Sequence, residues 1–365
     1  MFTVRSRPAI AAVSPYQPGM PAARVRRELG LERVVKLASN EGPYGPFPAA
    51  LEAIAAHAGA LNRYPELSIE LIERLAERHG VDPSWIALGN GADAIVGYLS
   101  AAYLDPGDEA LMGWPSFPSY HLDALKMGAT PVHVALCDGA YDTAELAERV
   151  GPRTKLVYVC NPNNPTGGMV GNQALRELVD AVPETALVVI DEAYHDYVTD
   201  PDYPDAIAEH VGRRPNVAAV RTFSKIYGLA GLRIGYLVGP PQVVADVARM
   251  RNAFDVSELA HAAALASLGS DDELARRREL NQRGRLALEG VFAELDLRTY
   301  PAVANFVCAE ADDGPALARA LELDGVIVRP LAQFGAPGCV RVTVGTPDEI
   351  EAFREAMSRV FERRP

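Results

Sequence analysis

From Trp85 onward the chain alternates short apolar runs with amphipathic stretches, and this rhythm constrains the fold more than any other feature. The apolar runs are Trp85–Leu88, Glu109–Met112, Pro131–Ala135, Lys155–Cys160, Ala186–Ile190, Val217–Arg221 and Arg233–Val238. Between them Pro118–Met127, Thr143–Val150 and Asn172–Ala181 read as helices. Near-continuous apolar strands separated by helices predict a mostly parallel sheet covered on both faces. The expectation is an α/β, three-layer sandwich with a mostly parallel seven-stranded sheet. The last two runs lie close together, so one strand is expected to run antiparallel.

After Pro240 the texture changes. Gln242–Asn252, Ser257–Gly269 and Asp271–Leu295 read as helices. A strand (Phe306–Ala309), a helix (Gly314–Leu323), two strands (Val326–Val328, Val340–Val344) and a terminal helix from Pro347 follow. This is a second, smaller α/β layer, and 365 residues exceed what one core usually holds. The expected division is a large domain over residues 30–255, with 1–29 and 256–365 forming an N-terminal arm and a small domain. The proline-rich start reads as an arm laid over the rest.

The 35 basic and 48 acidic residues leave a net charge of −13, which argues against a nucleic-acid partner. Arginines gathered inside a pocket can still take anionic substrates beneath an acidic surface. No apolar run reaches the ~18–20 residues of a membrane span. Pro8, Pro15 and Pro18 interrupt the N-terminus without a secretion-signal core, so a cytoplasmic location and no membrane association are expected. Cys137, Cys160, Cys308 and Cys339 show no CxxC spacing and lie mostly in strand-like runs, as reduced, buried thiols do. The seven histidines form no HxH or HxxxH pair, so no metal site is expected.

Four lysines occur: Lys36, Lys126, Lys155 and Lys225. Lys225 stands out in Arg221-Thr-Phe-Ser224-Lys225-Ile-Tyr-Gly228-Leu-Ala-Gly231-Leu-Arg233. A lysine that reacts as a free amine must be desolvated or set among cations. Thr222, Ser224 and Arg233 offer hydroxyls and a forked cation to a phosphate. A surface lysine at a turn is the plain alternative, and the spaced hydroxyls and arginine weigh against it.

Three further segments follow strand-like runs. Asp191 and Glu192 close Ala186–Ile190, at the strand end where open α/β sheets bind ligands. A helix cap is the plain reading there. A magnesium-binding acid of a phosphate-loop enzyme is excluded because the chain contains no Gly-Lys dipeptide. A carboxylate beside a ring nitrogen suits Asp191, and Tyr194 is placed to offer a hydroxyl. Gly89-Asn-Gly91-Ala92-Asp93 opens a helix whose free N–H groups can cradle phosphate. Asn161-Pro-Asn163-Asn164-Pro-Thr166-Gly167 is a stiff loop presenting amides, or simply a rigid turn.

Together these motifs resemble the fold-type I pyridoxal-phosphate aminotransferases, nearly end to end. Ser14-Pro-Tyr16, Ser39-Asn40-Glu41, Asn62-Arg-Tyr64-Pro65, Ala304-Asn-Phe306, Val328-Arg329-Pro330 and Val340-Arg341 extend the match. Within the family the chain is similar to the histidinol-phosphate branch and close to the aromatic and phenylalanine enzymes. The resemblance implies pyridoxal phosphate as cofactor, with Lys225 as the lysine that binds it and shuttles the proton. Asp191 would face the ring nitrogen, Asn164 and Tyr194 the ring oxygen, and Phe117 the ring face. Ala92, Asp93, Thr222, Ser224 and Arg233 would hold the phosphate, with Tyr64 reaching in from a second subunit of a homodimer. Tyr16, Asn40, Arg329 and Arg341 would bind the substrate's anionic end, and a paired arginine suits a phosphate better than a carboxylate.

The implied reaction is amino transfer between glutamate and imidazole-acetol phosphate in histidine synthesis. Aromatic amino-acid transamination, or decarboxylation of an O-phospho amino acid, are the alternatives. Two departures stand out: Gly42 where the family usually has Asn, and Phe117 where this branch often has Tyr.

Overall fold

The computed structural model describes residues 4–11, 13–15 and 19–363. Its main sheet has, among the described residues, eight strands. Their order is Ile86–Gly89, Gly235–Val238, Val217–Thr222, Leu187–Asp191, Thr154–Cys160, Glu109–Trp114, Thr130–Cys137 and Ala140–Tyr141. The expected seven are all present. The eighth is a two-residue return after Thr130–Cys137, pairing Leu136 with Tyr141 through a turn at Asp138 and Gly139. So short a strand has no apolar run to announce it.

Gly235–Val238 is the antiparallel strand, bonded on one side to Ile86–Gly89 and on the other to Val217–Thr222. The strands between Val217–Thr222 and Thr130–Cys137 are parallel. Every residue of Leu187–Asp191 and Val217–Thr222 is buried, so both faces of the sheet are covered. The helices Pro118–Met127, Thr143–Arg149 and Asn172–Ala181 lie where their periodicity places them.

The smaller layer is a three-stranded antiparallel sheet, Phe306–Glu310, Cys339–Thr343 and Arg329–Pro330, packed with Gly314–Leu323 and Pro347–Glu362. Beside it Val35–Lys36 pairs in parallel with Val326–Ile327. Cys160, Cys308 and Cys339 are buried, but Cys137 is exposed at the end of Thr130–Cys137, a strand with one buried residue beside the turn at Asp138.

The apolar cores divide the chain differently from the expected boundaries. Val35 and Leu37 belong to the smaller core with Val340, Val342 and Phe353. Val256, Ala260, Ala263, Ala264 and Leu268 belong to the larger one. The cause is side-chain size: Glu258–Ser267 is alanine-rich and packs against the alanine-rich Pro48–His57. The long helix Asp271–Ala293 starts in one core at Leu274 and ends in the other at Leu288, Val291 and Phe292. The arm is divided too. Arg7 donates to the Lys126 carbonyl at 2.8 Å, whereas Val25 of Ala22–Leu29 packs with Ala38 and Ile327.

Candidate active site

Gly89, Cys160, Asp191 and Thr222 end strands of the main sheet, and a cavity of about 340 Å³ opens beyond three of them. It is lined by Asn40, Ala92, Asp93, Phe117, Asn164, Asp191, Tyr194, Thr222, Ser224, Lys225, Arg233 and Arg341. Segments from both layers therefore meet at one point.

One end gathers groups able to cradle an anion. The helix Ala92–Tyr103 begins at Gly91 with no side-chain cap, so its first N–H groups are available. Arg233 adopts a left-handed backbone, φ 57°. Its guanidinium lies so close to Gly91 that a Cβ there would meet Nη2 at 2.6 Å. A Cβ on Gly235 would likewise meet the Ala92 nitrogen at 2.6 Å. Buried Thr222 donates to the Ser224 hydroxyl at 3.0 Å. Helix N–H groups, two hydroxyls and a forked cation suit a phosphate.

The middle holds Lys225 and Asp191. Burial, with Arg341 and Arg233 nearby, pulls the Lys225 amine down to about 8, against the opposing pull of Glu41 and Asp191. Its Nζ lies 5.4 Å from the centre of the Tyr194 ring. Asp191 is 4% exposed, and burial raises its carboxyl above the ordinary range. It accepts from Tyr120 Oη at 2.6 Å and from the Ala193 N–H at 3.0 Å. Glu192, next in the extended chain, points away and accepts from Arg221 Nε at 2.9 Å. Burial would push Glu192 up, but Arg221 and His195 hold it at about 2. The acidic pair is thus one cavity carboxylate and one buried ion-pair anchor.

The other end is formed where the smaller layer meets the sheet. Arg341 donates to Asn164 Oδ1 and, at 3.0 Å, to the Ala38 carbonyl. Asn40, at φ 53°, donates to Tyr194 Oη at 2.9 Å, and its own N–H reaches Thr343 Oγ1 at 2.9 Å. A non-glycine residue in this backbone region signals a position set by its surroundings.

Arg329 and Tyr64, the latter expected at the site of a second copy, do not line this cavity, and Tyr16 cannot be placed. Arg329 pairs in register with Arg341, but it lines a neighbouring cavity with Gly19 and Ile327. Tyr64 is 72% exposed and stacks on Phe254 at 4.1 Å. Tyr16 falls outside the described residues.

Three residues were not assigned a role from sequence. Tyr120 faces inward on Pro118–Met127, but helical phase does not say which strand end it meets. Phe334 sits in the cavity with the Arg329 and Arg341 guanidiniums at 5.4 and 5.3 Å from its ring. Glu41 lines the cavity mouth and pairs with Lys36 at 3.1 Å; it stood in a matched motif without a function. Gly42 has a local reason, because a Cβ there would press on the Lys225 carbonyl at 3.0 Å.

The profile of the aminotransferase class I and II family matches residues 32–357. The chain belongs to that family. A histidinol-phosphate aminotransferase of Moorella thermoacetica is 42% identical over 359 residues, 98% of this chain and 93% of the relative. An aromatic amino acid aminotransferase of Thermobifida fusca is 44% identical over 364 residues, covering 98% and 97%. The crystal structure of a histidinol-phosphate aminotransferase from Sinorhizobium meliloti in complex with pyridoxal-5'-phosphate superposes with TM-score 0.89. It is 28% identical and covers 99% of this chain and 98% of its own. No helix among the described residues is long and apolar enough to cross a membrane.

Proposed function

We propose that the protein is a pyridoxal-phosphate-dependent histidinol-phosphate aminotransferase, exchanging an amino group between histidinol phosphate and 2-oxoglutarate. The observation that carries this reading is one cavity in which a lysine with a lowered pKa lies between a buried carboxylate and an anion cradle. These residues fit the cofactor: the cradle has the donors a phosphate needs, and Asp191 suits a ring nitrogen. When bound, pyridoxal phosphate supplies a ring that takes up the electron pair left at the substrate Cα.

The protein's side chains do the rest. Lys225, neutral in a useful fraction near pH 8, carries the proton to and from the substrate carbon. Asp191 holds a proton on the ring nitrogen, and Tyr120 fixes the carboxylate's orientation. Ala92, Asp93, Thr222, Ser224 and Arg233 anchor the phosphate; Phe117 covers the ring. Asn164, Tyr194 and Asn40 form the polar wall at the ring oxygen. Arg341 binds the substrate's anionic end, and Arg329 adds positive potential from behind Phe334. Tyr64, exposed beside Phe254, serves the cradle of a second copy in a homodimer, with Tyr16 on the substrate side. A cytoplasmic location is part of this reading, as is a division into a cofactor domain and a smaller substrate-closing domain.

Transamination of aromatic amino acids is the second reading, favoured by the Thermobifida fusca relative and by Phe117 and Phe334 in the cavity. The visible spectrum of the purified protein separates the two. A yellow band that bleaches with histidinol phosphate supports the first, and bleaching with phenylalanine alone supports the second. No band after adding pyridoxal phosphate would overturn both.

A further inference from the structure

Two of the segments that carry the chain between the cores concern the cavity. One passes from Leu37 in the smaller core to Phe47 in the larger. The other is the helix Asp271–Ala293, running from Leu274 to Leu288. Arg277 lies in the first third of that helix, 4% exposed and outside the cavity.

Its five N–H groups all have partners. Nε donates to Glu273 Oε1 at 2.7 Å. Nη1 donates to the Gly45 carbonyl and, at 3.2 Å, to that of Ile226. Nη2 donates to the carbonyls of Pro46 at 3.2 Å and Tyr44 at 3.4 Å. The guanidinium centre also stands 4.5 Å from the middle of the Phe47 ring. A planar cation with five fixed donors can gather carbonyls from separate loops, which an ammonium cannot match.

Those loops touch backbone to backbone. A Cβ on Gly228 would lie 2.0 Å from the Gly45 carbonyl oxygen, and Gly228 is at φ 71°. One on Gly42 would lie 3.0 Å from the oxygen of Lys225. There is no slack between the segment after Glu41 and the turn that carries Lys225. Arg278 adds a bond of 2.8 Å to the Asp196 carbonyl, downstream of Tyr194.

We propose that Arg277 is a positioning residue for Lys225, clasping both inter-core segments to the backbone that carries the lysine. The inference rests on the reading of Lys225 as the cofactor lysine. Its consequence is specific. The groups that set the charge around Lys225 are Arg341, Glu41, Arg233 and Asp191. Arg341 belongs to the smaller layer and Glu41 to the first inter-core segment, whereas Lys225, Asp191 and Arg233 belong to the sheet. Loosening the clasp moves the two sets relative to each other. A purely structural arginine would lower stability and leave that relation alone.

The test compares wild-type holoenzyme with R277K and R277Q. Three quantities are read: the thermal midpoint, the pH midpoint of the visible absorbance of the resting enzyme, and kcat against KM. Of the two groups that shift away from Lys225, Arg341 lowers its pKa more than Glu41 raises it, so the absorbance midpoint moves to higher pH in R277K. Its kcat falls roughly tenfold to a hundredfold with a much smaller change in KM, the pattern of a misplaced reacting group. R277Q shows the same changes, larger. Should R277Q fail to fold, R277K decides, since it keeps the charge. An R277K enzyme with a lower thermal midpoint but unaltered kcat and absorbance midpoint overturns the proposal. A wild-type protein without the visible band removes the cofactor reading itself, and the clasp argument with it.

Discussion

The two ends of the cavity are built in different ways. The cradle takes Thr222, Ser224 and Arg233 from one stretch of chain and adds the helix start after Gly91. Its geometry is local: a strand end, a tight turn, and glycines that let backbone approach backbone. The opposite end takes Asn40, Asn164, Phe334 and Arg341 from distant segments. It exists only where the smaller layer docks, through the bonds of Arg341 to Asn164 and Ala38. On the proposed function, local construction would serve an anion that every turnover shares, and cross-layer construction a substrate that must enter and leave.

The comparison can be broken or sharpened by experiment. The largest effect belongs to Lys225→Ala, which removes the amine proposed to move the proton; kcat should fall at least ~10³-fold. Residual turnover near the wild-type rate would mean another group does the work.

Next is pH. With the amine at about 8 rather than 10.5, attachment of cofactor to the unloaded protein should quicken as pH rises and level off above about 8. The neutral fraction at pH 7 is then ~10²-fold that of an ordinary lysine. A rate still climbing toward pH 10 would show an unperturbed lysine.

Arg341→Lys should raise KM for the anionic substrate roughly tenfold while cofactor affinity holds, because a forked contact is lost on one end only. Equal losses of cofactor and substrate would erase the distinction between the two ends. The smallest change is expected for Tyr120→Phe, a several-fold fall in kcat. It removes one hydrogen bond to a buried carboxylate, worth about 1.5–3 kcal/mol, part of which the Ala193 N–H retains. An unchanged kcat would mean that bond does not orient Asp191.

Much of the fold was legible, for a physical reason. Parallel strands buried on both faces must be apolar throughout, so Leu187–Asp191 and Val217–Thr222 announce themselves. Ala140–Tyr141 does not, since two residues carry no period. The apolar cores cross the expected boundaries at both edges. Alanine-rich Glu258–Ser267 has a hydrophobic face of any helix, and only its fit against Pro48–His57 assigns it.

The cofactor side of the site follows the same logic, because Lys225, Asp191 and Arg233 stand at strand ends and turns that primary structure encodes. Tyr120 and Arg277 stayed hidden, since each acts across the fold on a partner from another segment. Backbone preference and apolar periodicity already encode the longer strands, the turns and the chemistry placed at their ends. The tertiary structure alone decided which side chains meet: Tyr120 with Asp191, Arg341 with Asn164, Arg277 with Ile226. Such meetings depend on how layers pack, and a linear pattern of residue types does not specify that.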